Sequence, residues 1–190
     1  MTTNILLTGV GGQGTILTTK ILSTALAQLG YDVKMSEIHG MSQRGGTVNT
    51  QLKYGEKVYA PNIGEGEADI IVAFEKVEAL RALPYLKKGG SIVMDEREIY
   101  SMPVLTGDAV YPHDAEKELT ELVGKVTVIP ASKIAEELGS IKAQNICLLG
   151  ALVKQLGLTE IDWEKLISES VPAKTIDINL AAFKRGYEYV

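Results

Sequence analysis

The N-terminal part of the chain begins with an apolar stretch, followed by a glycine-rich turn and a region of helical periodicity. Residues 4–8 are mostly apolar and lead into the sequence GVGGQG. Between residues 15 and 29 an apolar side chain recurs at every fourth position, which places these side chains on one face of an α-helix. A second strand is predicted over residues 32–36. The segment is therefore a βαβ unit, and we expect its two strands to run parallel.

A β-hairpin is predicted after this unit. Residues 47–54 alternate between apolar and polar positions with a period of two, as in a strand that has one solvent-exposed face. The sequence Gly-Glu-Lys at residues 55–57 then favours a turn into a short strand over residues 58–60. We expect this hairpin to lie at or near an edge of the sheet.

The middle of the chain repeats the βαβ pattern. A buried strand is predicted over residues 69–74, a helix that contains a proline over residues 75–86, and another strand over residues 91–94. Gly89 and Gly90 are expected to form the turn between this helix and the second strand. The pattern therefore predicts two further parallel strands.

The rest of the chain is mostly helical. Residues 100–113 contain two prolines and a glycine and are predicted to form a long loop, and residues 125–129 are predicted to form one more parallel strand. Four helices are predicted, over residues 131–138, 142–156, 159–170 and 176–187. The whole pattern indicates an α/β fold: a Rossmann-like, doubly wound, mostly parallel sheet with a β-hairpin insertion and a helical C-terminal third.

The composition excludes several classes of protein. With 190 residues, of which 45% are hydrophobic and 23% are charged, the chain can form the core of one domain and is neither disordered nor fibrous. Its net charge of −5 offers no positive field to nucleic acid or to an anionic membrane, so neither is an expected partner. No basic region precedes the first apolar stretch, and no apolar run approaches the roughly 20 residues of a membrane span. We therefore expect a cytoplasmic protein.

Cysteine and histidine are too few for the common kinds of metal site. Cys147 is the single cysteine, and its apolar neighbours predict a packed, unreactive thiol. The two histidines, His39 and His113, lie far apart in the sequence. We expect no metal on this chain, and any iron–sulfur cluster must belong to another chain.

The glycine-rich turn is the clearest candidate for ligand binding. Gly9, Gly11 and Gly14 match the pattern G-x-G-x-x-G between a predicted strand and a predicted helix. Glycines allow close backbone approach, and the N-terminus of the following helix offers unpaired N–H groups to a phosphate. A ligand with a pyrophosphate group is expected. The alternative is a glycine turn that packs the helix on the strand and binds nothing.

The end of the second predicted strand offers a further set of candidates. Glu37 lies where an acidic residue binds the ribose in NAD-binding domains. In the loop HGMSQRGG, Arg44 is a candidate for binding a phosphate or carboxylate, and a surface ion pair is the alternative. His39 is either a hydrogen-bonded loop residue or a catalytic group.

Two more polar residues are candidates because of their positions in the predicted elements. Asp95 ends a predicted strand, at the edge where ligands bind in such sheets, although a turn carboxylate has the same pattern. Asn145 precedes a long apolar run and is either a hydrogen-bonding residue at a helix start or a polar residue on its exposed face. These residues predict a binding cleft without a recognisable set of catalytic groups.

Four segments together resemble the small, gamma-type subunits of the 2-oxoacid:ferredoxin oxidoreductases. They are, in chain order, GVGGQG, SEIHGMSQRGG, ADIIVAFEKVEALRALPYLKKGGSIVMDE and KAQNICLLGALVKQLG. The HGMSQRGG loop is the most specific of them and is most similar to the indolepyruvate members of the family. The resemblance covers essentially the whole chain and implies one gamma-type catalytic domain over residues 1–190.

The resemblance implies a subunit of a larger enzyme. In this family a larger alpha subunit holds thiamine diphosphate and iron–sulfur clusters. The complex oxidatively decarboxylates indolepyruvate and other arylpyruvates to aryl-acetyl-CoA and reduces ferredoxin. The present chain is expected to complete the active site, to contribute to coenzyme A binding and to be inactive alone. The resemblance assigns no catalytic residue, and it implies coenzyme A binding by Gly11, Gly12, Gln13, Gly14, Thr15, Ser42, Gln43, Arg44, Asp95 and Asn145.

Three other interpretations stay open at this point. The first is the same kind of subunit in an enzyme for another 2-oxo acid. The second is a free-standing NAD-binding protein, which rests on Glu37 and the glycine pattern. The third is a structural partner that binds no ligand.

Overall fold

A six-stranded sheet forms the centre of the protein in a computed structural model that describes residues 2–40 and 46–190. The strands are β1 (Thr2–Val10), β2 (Asp32–His39), β3 (Thr47–Gly55), β4 (Ala68–Ala73), β5 (Leu86–Asp95) and β6 (Val126–Ile129). The α-helices are α1 (Thr15–Gln28), α2 (Lys76–Ala82), α3 (Met102–Thr106), α4 (Ala115–Val123), α5 (Ala131–Glu137), α6 (Gln144–Leu156), α7 (Trp163–Ser170) and α8 (Ile176–Tyr189).

The strands are arranged in the order β2-β3-β1-β4-β5-β6. The pairs β1/β4, β4/β5 and β5/β6 are parallel, whereas β3 is antiparallel to both of its neighbours. Five strands therefore run in one direction, and their carboxyl ends meet at one edge of the sheet. The predicted α/β fold with a mostly parallel sheet is confirmed.

Two hydrophobic cores cover the two faces of the sheet, because successive side chains of a strand point to opposite faces. In β1, Ile5 and Leu7 belong to the core formed with α1 and the C-terminal helices α5 to α8. Leu6 points the other way, into the core formed with α2 and α4, where Leu119 is fully buried. The helices thus lie on both faces, as a doubly wound fold requires.

The predicted hairpin pairs β3 with the wrong segment of the chain. Residues 58–60 form no strand; instead β3 pairs with β2 on one side and with β1 on the other. The inserted hairpin is therefore β2–β3. Because β3 lies inside the sheet, its centre at Thr50, Gln51 and Leu52 is buried on both faces rather than exposed on one. β1 and β2 run in the same direction as predicted, but β3 separates them.

The second βαβ unit also differs from the prediction. Helix α2 ends at Ala82, and a 3-10 turn that contains Pro84 leads directly into β5, because proline does not continue a helix. The predicted turn at Gly89 and Gly90 is wrong, since both residues lie within β5. A Cβ atom on Gly90 would lie 2.9 Å from the carbonyl oxygen of Asp69, so this glycine allows a close approach to β4.

The segment predicted as a long loop contains the short helix α3, which begins with a proline in its first turn. Helix α4 was not predicted, although it is amphipathic and buries Ala115 and Leu119. Cys147 is buried in the core of α6, as predicted.

Candidate functional site

The candidate site lies at the edge of the sheet where the parallel strands end. The glycine turn follows β1, Phe74 and Glu75 follow β4, and Asp95 ends β5. The N-terminus of α6 meets the same edge, because Gln144 hydrogen-bonds to the backbone of Phe74. Ligands of doubly wound sheets bind at this edge, near the position where the strand connections change face.

The glycine turn leaves backbone groups open in front of α1. Gly12 is exposed, has φ of 95°, and would carry a Cβ atom with nothing within 4 Å. The first hydrogen bond of α1 runs from the N–H of Thr18 to the carbonyl of Gly14, so the N–H groups of Thr15 and Ile16 have no partner within the helix. In the described part of the chain, no side chain caps this helix and no acidic residue lies in its first turn. The N-terminus of α1 is therefore suited to an anion.

Gln13 joins two strand ends. Its Oε1 accepts a hydrogen bond of 2.7 Å from the N–H of Val10, and its Nε2 donates one of 2.7 Å to the carbonyl oxygen of Phe74. Both ends of the amide are therefore engaged within the protein. Gln13 shapes the glycine turn by holding the end of β1 against the end of β4.

Asn145 lies directly against the glycine turn. Its Nδ2 donates to the carbonyl oxygen of Gly14 at 3.3 Å, and its backbone carbonyl accepts from the Thr18 hydroxyl at 3.3 Å. A Cβ atom on Gly14 would lie 2.4 Å from Nδ2 of Asn145, and Gly14 also has φ of 84°. Glycine at position 14 is thus required by this contact and by its left-handed backbone. The structure brings Asn145 and residues 11–15 together.

Arg97 and Gln144 are two residues of this edge that the sequence analysis missed. Gln144 is buried, donates to the carbonyl oxygen of Phe74 at 2.8 Å, and accepts from Nη1 of Arg97 at 2.9 Å. The half-buried guanidinium of Arg97 thereby adds a positive charge to the edge. Arg97 could have been found from the sequence, because it lies two residues after β5, where side chains of the ligand-binding edge are located.

Asp95 is fully buried and accepts hydrogen bonds from the start of α5. Its two carboxylate oxygens accept hydrogen bonds from the backbone N–H of Ser132 at 2.9 Å and from the Ser132 hydroxyl at 3.1 Å. Burial raises the pKa of Asp95 to about 6, although these hydrogen bonds oppose the shift. Both oxygens are therefore engaged inside the protein.

The candidates of the HGMSQRGG loop lie partly outside the residues that the structure describes. Ser42, Gln43 and Arg44 are outside them. Gly46 follows them, and its carbonyl oxygen accepts a hydrogen bond of 3.0 Å from the N–H of Gly11. The end of the HGMSQRGG loop is therefore attached to the glycine turn.

The geometry of β2 differs from that of an NAD-binding domain. Glu37 lies within β2, opposite Thr50 of β3, and His39 ends the same strand. In NAD-binding domains the acidic residue follows the strand next to β1. Here β3 occupies that place, so Glu37 lies two strand spacings, or about 10 Å, from β1.

Within residues 2–40 and 46–190, no group of three or more His, Cys, Asp or Glu side chains could hold a metal ion. No helix there has the length and apolar character needed to cross a membrane. Burial raises the pKa of the Cys147 thiol to about 12, which disfavours the nucleophilic thiolate form.

Comparison with known proteins identifies the class. Residues 4–189 match the pyruvate ferredoxin/flavodoxin oxidoreductase family, and the chain belongs to this family. It is 44% identical over 188 residues to indolepyruvate oxidoreductase subunit IorB of Thermococcus kodakarensis, a match that covers 96% of this chain and 93% of the relative. It is 31% identical to 2-oxoglutarate synthase subunit KorC of Methanocaldococcus jannaschii, over 99% of this chain and 94% of that one. The resemblance seen in the sequence is confirmed.

Solved structures share the fold. The gamma subunit of a keto/oxoacid ferredoxin oxidoreductase from Geobacter sulfurreducens has a TM-score of 0.71 at 23% identity, and the match covers 98% of this chain and 97% of that chain. A 2-oxoglutarate:ferredoxin oxidoreductase from Magnetococcus marinus, with 2-oxoglutarate, coenzyme A and succinyl-CoA bound, has a TM-score of 0.75 at 22% identity. That match covers 99% of this chain and 31% of the longer chain.

Proposed function

We propose that this chain is the beta subunit of an indolepyruvate:ferredoxin oxidoreductase. The observation that carries the proposal is that relatives from four archaea, all named indolepyruvate oxidoreductase subunit IorB, are 38–44% identical over nearly the full length. The complex would oxidatively decarboxylate indolepyruvate and other arylpyruvates to aryl-acetyl-CoA and reduce ferredoxin. Residues 1–190 would act as one gamma-type catalytic domain, located in the cytoplasm and inactive alone.

The proposed partner is a larger alpha subunit that holds thiamine diphosphate and iron–sulfur clusters. Thiamine diphosphate would stabilise the negative charge that develops when a 2-oxo acid loses carbon dioxide, and the clusters would accept the electrons for ferredoxin. This chain would complete the active site by binding and orienting coenzyme A. Because the chemistry is carried by the partner, the proposal assigns this chain no catalytic residue.

The glycine turn is the proposed binding site for the coenzyme phosphates. Its fit rests on the open space at Gly12, the unpaired N–H groups at the start of α1, and the absence of an acidic residue in that first turn. Gln13, Gly14 and Asn145 would hold the turn in shape through their hydrogen bonds and close contact. In this proposal Thr15 offers a backbone N–H to the phosphates. The adjoining loop adds the polar side chains of Ser42, Gln43 and Arg44. Asp95 supports this edge of the sheet through its hydrogen bonds to the start of α5.

The substitution Gly12→Val tests this role in the assembled complex. A side chain at the exposed turn would enter the space proposed for a phosphate, so we expect KM for coenzyme A to rise about tenfold or more, with the native mass of the complex unchanged. Steady-state kinetics with varied coenzyme A measures the change. Gly66→Val is the matched control, because Gly66 also has a positive φ of 71° and open space around its Cβ position. Equal effects of both variants would show that only backbone strain matters and would contradict the proposed site.

A further inference from the structure

A pocket of about 590 Å³ opens beside the glycine turn, on the side of α2. We call it the α2 pocket. Val10, at the end of β1, forms one wall and connects the pocket to the candidate site. Helix α2 with Glu75 before it, residues 99–104 and residues 109–112 form the other walls. Apart from the end of β1, none of these walls belongs to the proposed coenzyme A site.

Two glutamates line the pocket, and their hydrogen bonding differs. Glu75 is buried and accepts hydrogen bonds from the N–H of Glu78, from the N–H of Ile99 and from the Tyr111 hydroxyl. Glu78 is only 2% exposed, and its Oε1 accepts from Arg81. Its Oε2 has no hydrogen-bond partner in the described structure. The neighbouring Thr47 hydroxyl lowers the pKa of the Glu78 carboxyl, against the larger rise caused by burial, without a full hydrogen bond to Oε2. Oε2 is therefore able to accept from a donor outside this chain.

The rim of the pocket is unusually apolar for a free surface. Tyr100, Met102, Leu105 and Val110 are 44%, 68%, 64% and 90% exposed, and we call these four side chains the apolar patch. Tyr100, Met102 and Val110 also line the pocket. Several exposed apolar side chains at a concave pocket are typical of an interface that is covered in the assembled protein.

The patch is held in place rather than loosely attached. The rings of Tyr100 and Tyr111 are 5.1 Å apart, and the Tyr111 hydroxyl donates to the buried carboxylate of Glu75. Glu75 also accepts from the N–H of Ile99, so it binds both ends of the segment that carries the patch. A surface that is already ordered loses little entropy on binding.

The relatives indicate which protein covers this surface. In the Magnetococcus marinus structure the matching region is 31% of one longer chain, and in the ketoisovalerate oxidoreductase subunit VorA of Methanothermobacter marburgensis it is 35%. In those proteins the rest of the longer chain is joined covalently to this fold. In the proposed complex the corresponding part belongs to the larger subunit, which would bind this chain through a surface. The α2 pocket opens at the edge where that part would meet coenzyme A.

We infer that the apolar patch and the α2 pocket form the docking surface for the larger subunit of the same enzyme. The larger subunit would insert an apolar side chain into the pocket and direct a hydrogen-bond donor at Oε2 of Glu78. This inference rests on the proposed function, because it requires that the chain works in a complex. It places the contact beside the glycine turn, so docking would close one side of the candidate site.

Matched leucine substitutions test the patch. Leu105→Glu places a charge in the patch, on α3, whose residues 102–104 line the pocket. Leu122→Glu places the same charge, at an equal exposure of 64%, on α4, which contributes no residue to the pocket walls. Binding to the purified, thiamine-loaded larger subunit is measured by sedimentation. We expect Leu105→Glu to weaken binding about tenfold or more and Leu122→Glu to change it by less than about twofold. Equal melting temperatures of the two free variants would show that both fold.

Glu78→Met tests the unpaired oxygen with two readouts of opposite direction. In the free subunit the substitution removes the buried Oε2, which has no donor, together with the ion pair between Oε1 and Arg81, whose side chain is 56% exposed. Because an ion pair with an exposed partner contributes little, the melting temperature should change little or rise. In the complex it removes the acceptor for the donor from the larger subunit, so affinity should fall. Loss of stability together with unchanged affinity would assign Glu78 a purely structural role and overturn this part of the inference.

The outcomes separate this inference from the proposed function. If the wild-type chain does not bind the larger subunit, both fail. If the wild-type chain binds and Leu105→Glu binds equally well, only the docking surface is wrong. Hydrogen exchange gives an independent check: amides of residues 100–111 should become protected in the complex, while those of α7 should not change. Protection confined to other surfaces would overturn the inference.

Discussion

At the carboxyl edge of the sheet, one backbone oxygen accepts hydrogen bonds from two side-chain amides. Gln13 and Gln144 both donate to the carbonyl oxygen of Phe74, and Gln144 continues the network to Arg97. The family resemblance implied Gln13 as a binding residue of the glycine turn, but not its hydrogen bonds to Val10 and Phe74. It could not predict Gln144 or Arg97, because their relation to the turn depends on contacts between residues 47 and 70 positions apart.

The buried carboxyl group of Asp95 makes stability depend on pH in an identifiable range. Burial raises its pKa from 3.8 to about 6 in the folded chain. Between about pH 4 and pH 6 the folded chain therefore keeps a proton that the unfolded chain has lost, and the free energy of unfolding falls as pH rises. Above pH 6 this contribution is constant.

The variant Asp95→Asn isolates this contribution, since asparagine has a similar shape and does not titrate. We expect the free energy of unfolding of the variant, relative to wild type, to rise by about 2 to 3 kcal/mol between pH 4 and pH 7. Urea unfolding at constant ionic strength measures both proteins. A difference that is independent of pH would mean that Asp95 titrates normally in the fold.

At the scale of the elements, the contact between α6 and α8 depends on two glycines. A Cβ atom on Gly186 would lie 1.9 Å from the carbonyl oxygen of Cys147, and one on Gly150 would lie 2.2 Å from that of Phe183. The two helix backbones therefore approach directly. Both helices were predicted from their apolar periodicity, but no pattern within one helix shows which partner requires its glycine.

Gly186→Ala should destabilise the protein, in contrast to the usual effect of this change. Alanine favours an isolated helix by up to about 1 kcal/mol over glycine. Here the added methyl group would force α8 away from α6, and we expect a net loss of about 1 to 3 kcal/mol in the free energy of unfolding. Thermal and urea unfolding measure it. A more stable variant would show that the helices separate without cost.

The strand β3 shows a second limit of prediction at this scale. Its alternating pattern correctly indicated a strand, because side chains of period two fit a pleated sheet. The same pattern carries no information about which strands pair. β3 follows β2 in the chain and pairs with it, yet its insertion beside β1 joins residues that are far apart in sequence, from Thr2 with Gly55 to Val10 with Thr47.

At the scale of the whole molecule, the site is one part of a larger enzyme. The sequence predicted the fold class, and the family resemblance implied that residues 11–15 and Asn145 face one cleft. The structure brings them together, and their role in binding stays a prediction. The sequence did not predict the α2 pocket, whose walls come from β1, α2 and a segment assigned to a loop. A pocket of this kind exists only after the elements have packed.

The choice of 2-oxo acid is a property of the complex, and it separates the proposed function from its nearest alternative. The similarity to KorC keeps an enzyme for another 2-oxo acid as that alternative. We expect the purified complex to use indolepyruvate with a kcat/KM about tenfold or more above those for pyruvate and 2-oxoglutarate. Reduction of ferredoxin with each acid in turn measures the preference. A preference for 2-oxoglutarate would favour the alternative and leave the family assignment intact.

The sheet ends with β2 on one side and β6 on the other. β2 carries Asp32 and Lys34, which form an ion pair, and also Glu37, whereas β6 has only four residues. Charged or very short edge strands resist pairing with strands of other molecules. The free subunit, before the complex assembles, is therefore protected from edge-to-edge aggregation.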